Sequence, residues 1–153
     1  GEETLAYIEI EDGPYLVQPV EEAIDSGEVP VNVDVTNVTW IEGAAVTWTA
    51  TGNDLAASGG ARTALLWDSG VAGGPTGCFV SLPAGFRGVL DSAGASLRAV
   101  VVAGSPSVEG GPVLELGSGL AASGPARIEL DAGSATCVLY VRVEGDLAVT
   151  ATH

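Results

Sequence analysis

Val31-Asn32-Val33-Asp34-Val35-Thr36 and, a few residues on, Ala44-Ala45-Val46-Thr47-Trp48-Thr49-Ala50-Thr51 are the stretches that decide the fold. In the first, valines alternate with polar residues. In the second, Val46 and Trp48 take one phase and Thr47, Thr49 and Thr51 the other. Successive side chains of a strand point to opposite faces, so this period of two predicts half-buried antiparallel strands. Between them the phase shifts after Asn37, so that Val38 and Trp40 continue the apolar face, which predicts a bulge or bend. Ile41-Glu42-Gly43 reads as a turn.

Working outward, strands are expected at Thr63–Trp67, Cys78–Leu82, Leu97–Ala103, Val113–Leu116, Ala126–Leu130, Thr136–Val143 and Leu147–Thr152. Gly/Pro/Ser clusters separate them, at Gly52-Asn53-Asp54, Ser58-Gly59-Gly60, Gly70–Gly77, Ser105–Gly111 and Gly117–Pro125, and supply positive φ and fixed turns. Runs of this spacing predict an all-β antiparallel sandwich, and eight or more strands favour a jelly roll over an immunoglobulin sandwich. The expected core is Val33, Val35, Trp40, Val46, Trp48, Leu65, Val100, Val102, Leu139, Val141 and Val143.

Residues 1–30 read differently from 31–153. Short apolar patches (Leu5, Tyr7, Ile8, Ile10; Tyr15, Leu16, Val17) alternate with acids there, and Pro19–Ile24 suits one helical turn. This divides the chain into an acidic N-terminal arm, Gly1–Pro30, and a β-domain, 31–153. The arm is expected to pack on a neighbouring surface. A chain of 153 residues buries enough surface to fold without metal or disulfide.

The net charge of −15 comes from a missing basic side: 20 acids face five arginines and no lysine. Phosphate-rich partners are bound through Lys and Arg, so nucleic acid and anionic membrane are not expected partners. No apolar run approaches the ~20 residues that span a bilayer; the longest, Ala99–Ala103, fits one strand.

The means of chemistry are scarce. The only histidine is His153. Cys78 and Cys137 stand too far apart for a zinc knuckle; they offer either a disulfide between facing strands or two separate buried thiols. Trp67 and Asp68, at a strand end before a glycine loop, form the candidate exposed ligand platform, since a flat aromatic face suits a sugar ring. Glu42, Asp54, Asp68, Asp91, Glu115, Glu129, Asp131, Glu144 and Asp146 are undistinguished carboxylates. An enzyme built on them would need two converging in a cleft, at least one with a raised pKa. No catalytic residue, cofactor or metal site is assigned.

A β-domain so poor in catalytic residues, with a separate acidic arm and a last strand running from Gly145 to His153, resembles small virion proteins of bacterial and archaeal viruses, of the capsid decoration, head-fibre or jelly-roll capsid type. That resemblance implies a non-enzymatic, homo-oligomeric structural protein in a virion or outside the cell, with other virion proteins as partners. A carbohydrate-binding β-sandwich taking glycans, and a carboxylate-dependent glycoside-acting enzyme, are the alternatives.

Overall fold

The computed structural model describes residues 37–47, 51–94 and 96–152. The arm Gly1–Pro30, with Val33, Val35 and Trp48 of the expected core, lies outside the described residues, as does the side chain of Val46.

The described chain is all-β. Ten strands follow one another: β1 (Ile41–Thr47), β2 (Asp54–Asp68), β3 (Pro75–Leu82), β4 (Arg87–Ser92), β5 (Ser96–Ala103), β6 (Ser107–Val108), β7 (Gly119–Ser123), β8 (Ala126–Asp131), β9 (Cys137–Glu144) and β10 (Leu147–Ala151). They form one sheet in the order β6-β8-β4-β10-β2-β3-β9-β5-β7, with β1 also paired to β2. Every pairing is antiparallel except that of β10 with β2, where Leu147–Val149 run alongside Leu55–Ala57.

Strand β2 joins the two flanks. Its first half pairs with β10 and its second half, from Arg62, with β3. Between the halves, Gly59 and Gly60 take φ of 66° and 80°, a conformation that L side chains rarely adopt, and a Cβ on Gly59 would collide with Ala151. The Ser58-Gly59-Gly60 cluster, expected as a loop, is therefore a bend inside a 15-residue strand. The bend curls the sheet, so residues from both flanks (Leu82, Leu97, Leu139, Val141 and Val143 from one, Leu55, Leu90, Leu130, Leu147 and Val149 from the other) share one apolar cluster.

Leu139, Val141 and Val143 are core residues as expected. Leu65 and Val102 are half-buried, as is Trp40. Val100 is buried, yet it belongs to the opposite phase of β5 from Leu97, Ala99 and Val101, which enter the core. Two strand expectations move. The turn assigned to Ile41-Glu42-Gly43 opens β1, with Gly43 at φ 84° marking a register shift. Val113–Leu116 is a loop holding only an isolated bridge from Val113 to Ser107.

Candidate functional site

The sheet register brings two glutamates face to face. Strand β6 runs antiparallel to β8 with Ser107 opposite Asp131 and Val108 opposite Leu130. Continuing that register by one residue places Glu109 opposite Glu129, and the Glu109 N–H donates to the Glu129 carbonyl at 2.9 Å. On the other side of β8, Arg87 stands opposite Asp131 and Val89 opposite Glu129. Glu129 and Asp131 are two residues apart and so share a face of β8. The result is a cleft of about 200 Å³ lined by Arg87, Gly88, Glu109, Glu129, Leu130, Asp131 and Thr152. Position 88 admits only glycine, because a Cβ there would meet the Thr150 carbonyl and the Phe86 ring.

The two sides of the cleft differ electrostatically. Like charges directly across a strand pair repel, and this makes Glu109 harder to ionise beside Glu129. A side-chain hydrogen bond to Glu129, then the Glu129 charge, raise the Glu109 pKa above the ordinary carboxyl value. Asp131 goes the other way. It accepts from the Gly133 N–H at 2.7 Å and from Arg87 Nε at 2.8 Å, and these hold its pKa below the usual value, the backbone bond contributing most. The cleft thus pairs a glutamate of raised pKa with an aspartate of lowered pKa whose charge Arg87 balances.

The residues singled out in the sequence lie elsewhere. Trp67 is half-buried on the outer face, its indole N–H donating to the Tyr140 hydroxyl at 3.1 Å. The ring lies against Gly77, where a Cβ would collide with it. Next to it Phe79 meets Tyr140 edge-on at 6.4 Å and Trp40 at 6.5 Å, and the Arg62 guanidinium sits 5.3 Å from the Trp40 ring centroid. Asp68 is half-buried, accepting from Thr51 Oγ1 at 3.2 Å and from the Gly70 N–H. Thr51 belongs to a buried polar knot, where Asn53 Nδ2 donates to the Gly74 carbonyl at 2.8 Å and to Thr76 Oγ1 at 3.0 Å.

The cysteines do not form the disulfide considered above. Both are free. Cys78 stands opposite Val141 and Cys137 opposite Leu82, so four residues of strand separate them. At ~3.3 Å per residue this is about 13 Å, far beyond the ~7 Å Cα limit of a disulfide. Burial pushes the Cys78 thiol up to about 12. Cys137 is raised too, chiefly by desolvation, and its Sγ donates to the Ala132 carbonyl at 3.3 Å.

Of the cleft residues, Glu129 and Asp131 are among the carboxylates the sequence offered. Glu109 is not, because it falls in a Gly/Pro/Ser cluster that reads as loop. Strand β6 has only two residues, too few to show alternation.

Comparison with known proteins gives the fold its relatives. An RmlC-like cupin protein from Ralstonia eutropha JMP134 superposes with a TM-score of 0.54 at 16% identity, over 76% of this chain and 69% of that one. A protein assigned as an acetylacetone dioxygenase from Methylibium petroleiphilum PM1 gives 0.56 at 18%, over 84% and 85%. The acetylacetone dioxygenase of Acinetobacter johnsonii gives 0.54 at 17%, over 82% and 80%. At such identities the likeness carries the fold, and the fold is cupin-like. No curated protein matches the chain by sequence. The sequence profile of a family described as "Domain of unknown function (DUF4437)" matches residues 1–150.

These findings overturn the virion reading. The architecture taken for a capsid, decoration or fibre protein is that of cupins, dioxygenases among them. The non-enzymatic assignment that rested on the viral resemblance falls with it. Alternating strands and a jelly-roll strand count are common to both groups, and composition does not separate them.

A fold shared with dioxygenases raises the question of a metal. Non-haem iron oxygenases hold their ion by two histidines and one carboxylate. This chain has one histidine in all, His153. Its two thiols are buried and protonated, and a thiol binds metal as thiolate. Among the described residues no three His, Cys, Asp or Glu side chains cluster to hold an ion. The one buried side-chain polar atom without a hydrogen-bond partner among them is the Ser92 hydroxyl, a poor ligand for such a metal. The residues do not fit the group.

Proposed function

The chain belongs to the DUF4437 family, and on that premise we propose that it is a cupin-fold protein acting by general acid–base chemistry in the Arg87–Glu109–Glu129–Asp131 cleft. The observation that carries this reading is the cross-strand pair, in which the β6–β8 register sets Glu129 against a Glu109 of raised pKa. When Glu109 carries its proton it is a donor, and the carboxylate facing it is an acceptor, so an oxygen or nitrogen entering between them gains a proton from one side and loses one to the other. With the Asp131 charge already met by Arg87, the net local charge is negative. A small amine-bearing or hydroxylated molecule suits the cleft better than an anion.

The finer shape of the fold is part of the same reading. The cupin likeness supports a closed jelly roll, and the profile match from residue 1 supports an N-terminal segment that belongs to the unit. Self-association, and glycans as ligands of the Trp67–Asp68 region, are further proposals; the Trp40–Phe79–Tyr140 cluster and the adjoining Trp67 favour the latter.

The test is a titration of ¹⁵N-labelled protein with small amines, polyols and hydroxy acids. Amines or polyols should shift the amide signals of Gly88, Glu109 and Leu130, and Glu109→Gln should weaken that response at least several-fold. Shifts confined to Trp67 and Tyr140 would replace this reading with the aromatic one. Shifts at the cleft by anions alone would contradict the charge argument.

A further inference from the structure

We infer that this chain is a cupin-fold protein whose barrel takes up no transition metal, in contrast to the chemistry that a fold shared with dioxygenases suggests. One histidine cannot supply a two-histidine set. The softer alternative, a tetrahedral site from the cysteines and His153, fails on register: a single ion at ~2.3 Å from each sulfur needs the two sulfurs within about 4 Å of each other. Cys78 and Cys137 lie four residues apart along adjacent strands.

Among the described residues the cluster shared by the two flanks is apolar. Leu82, Leu90, Leu97, Leu139, Leu147 and Val141 are each at most 1% exposed and belong to one apolar cluster. Of the buried polar side chains, Asn53 and Thr76 already satisfy each other at 3.0 Å. Moving a divalent ion into such surroundings would forfeit its hydration with no charged ligand to replace it. Where a metal enzyme of this fold class would need an open, polar centre, the described residues put packed hydrocarbon. The inference is independent of the cleft, since the cleft chemistry proposed above needs no ion.

The experiment is metal analysis of the full chain. The protein is produced in medium supplemented in turn with iron, manganese, zinc, nickel or copper, and its metal content is measured by mass spectrometry. Each metal is then titrated into it by calorimetry, and thermal unfolding is recorded with and without EDTA. Far less than one ion per chain and an unfolding midpoint indifferent to EDTA are expected. Weak binding that disappears in Glu109→Gln/Glu129→Gln is surface carboxylate binding and leaves the inference standing. One tightly held ion per chain that survives in that variant, or that is lost with His153→Ala or Cys78→Ala, would overturn it, as would an EDTA-dependent midpoint. Failure here would leave the proton-sharing pair untouched, and the carboxyl pKa values can be read separately.

Discussion

Strands β3 and β8 belong to the same sheet and live in different solvents. In β3 every residue after Pro75 is buried, on both faces: Thr76, Cys78, Val80 and Leu82 toward the core, Gly77, Phe79 and Ser81 outward under the aromatic cluster. In β8 Ala126, Ile128 and Leu130 turn inward while Arg127 and Glu129 stand in water. A strand buried twice holds an ionised group only with a partner, as Arg142 of β9 has Glu144 at 3.6 Å. Desolvation disfavours the charged form, as burial keeps the Cys78 thiol protonated. A strand buried once keeps a charged face, and only there can register set carboxylates against each other. The chemistry of this chain therefore falls at the edge of the sheet. Its centre supplies the stability.

The largest effect expected from this contrast is in the core. Leu139→Ala, in β9 opposite Val80 and Val101, should cost about 2–5 kcal/mol through lost transfer energy and the cavity left behind. Ile128→Ala in β8 should cost clearly less, since Ile128 is only half-buried. Equal losses in urea denaturation would erase the distinction between centre and edge. Next in size is Gly77→Ala. A methyl there must displace the Trp67 indole, and overpacking of this kind costs about 1–3 kcal/mol. Trp67 fluorescence should change with it, as the indole leaves the Tyr140 hydroxyl. An unaltered spectrum would mean that the ring does not lie on β3.

The smallest effects belong to the cleft, and they carry opposite signs. Glu109 has a folded pKa above its unfolded 4.5, so the folded state binds the extra proton and this contribution is lost as pH rises above that value. Asp131 has a folded pKa below 3.8, so its contribution is present above that value and is lost as pH falls below it. Glu109→Gln should therefore raise the unfolding midpoint at neutral pH, where repulsion from Glu129 otherwise remains. Asp131→Asn should lower the midpoint at neutral pH and leave it unchanged at strongly acid pH. A Glu109→Gln midpoint that falls at neutral pH would show that the pair is attractive as it stands.

Much of the fold was legible in the residues. Alternation marked β5, β8, β9 and β10 closely, because one-face burial writes itself into the sequence as period two. Strand β2 was shortened to Thr63–Trp67, since Ser58-Gly59-Gly60 obeys turn chemistry locally while tertiary pairing carries the strand through it. Strand β4, Arg-Gly-Val-Leu-Asp-Ser, hides its alternation because Gly88 is buried for lack of room. The site was half legible. Glu129 and Asp131 were visible as acids on a polar face, but what distinguishes them is Glu109 across a two-residue strand. That juxtaposition is a property of register, which pairs segments about twenty residues apart and leaves no local mark. The viral resemblance misled for a related reason: a scarcity of catalytic residues and an acidic first segment are features of composition, and the curl of the sheet at β2 is not.

The most direct test of the account is the carboxyl titration itself, followed by ¹³C NMR on glutamate-labelled protein. Glu109 should titrate above the ordinary glutamate range. In Glu129→Gln, Glu109 should return toward that range. A Glu109 value in the ordinary range in the wild-type chain would contradict the hydrogen bond and charge of Glu129 as its perturbers, and with it the acid–base role of the cleft.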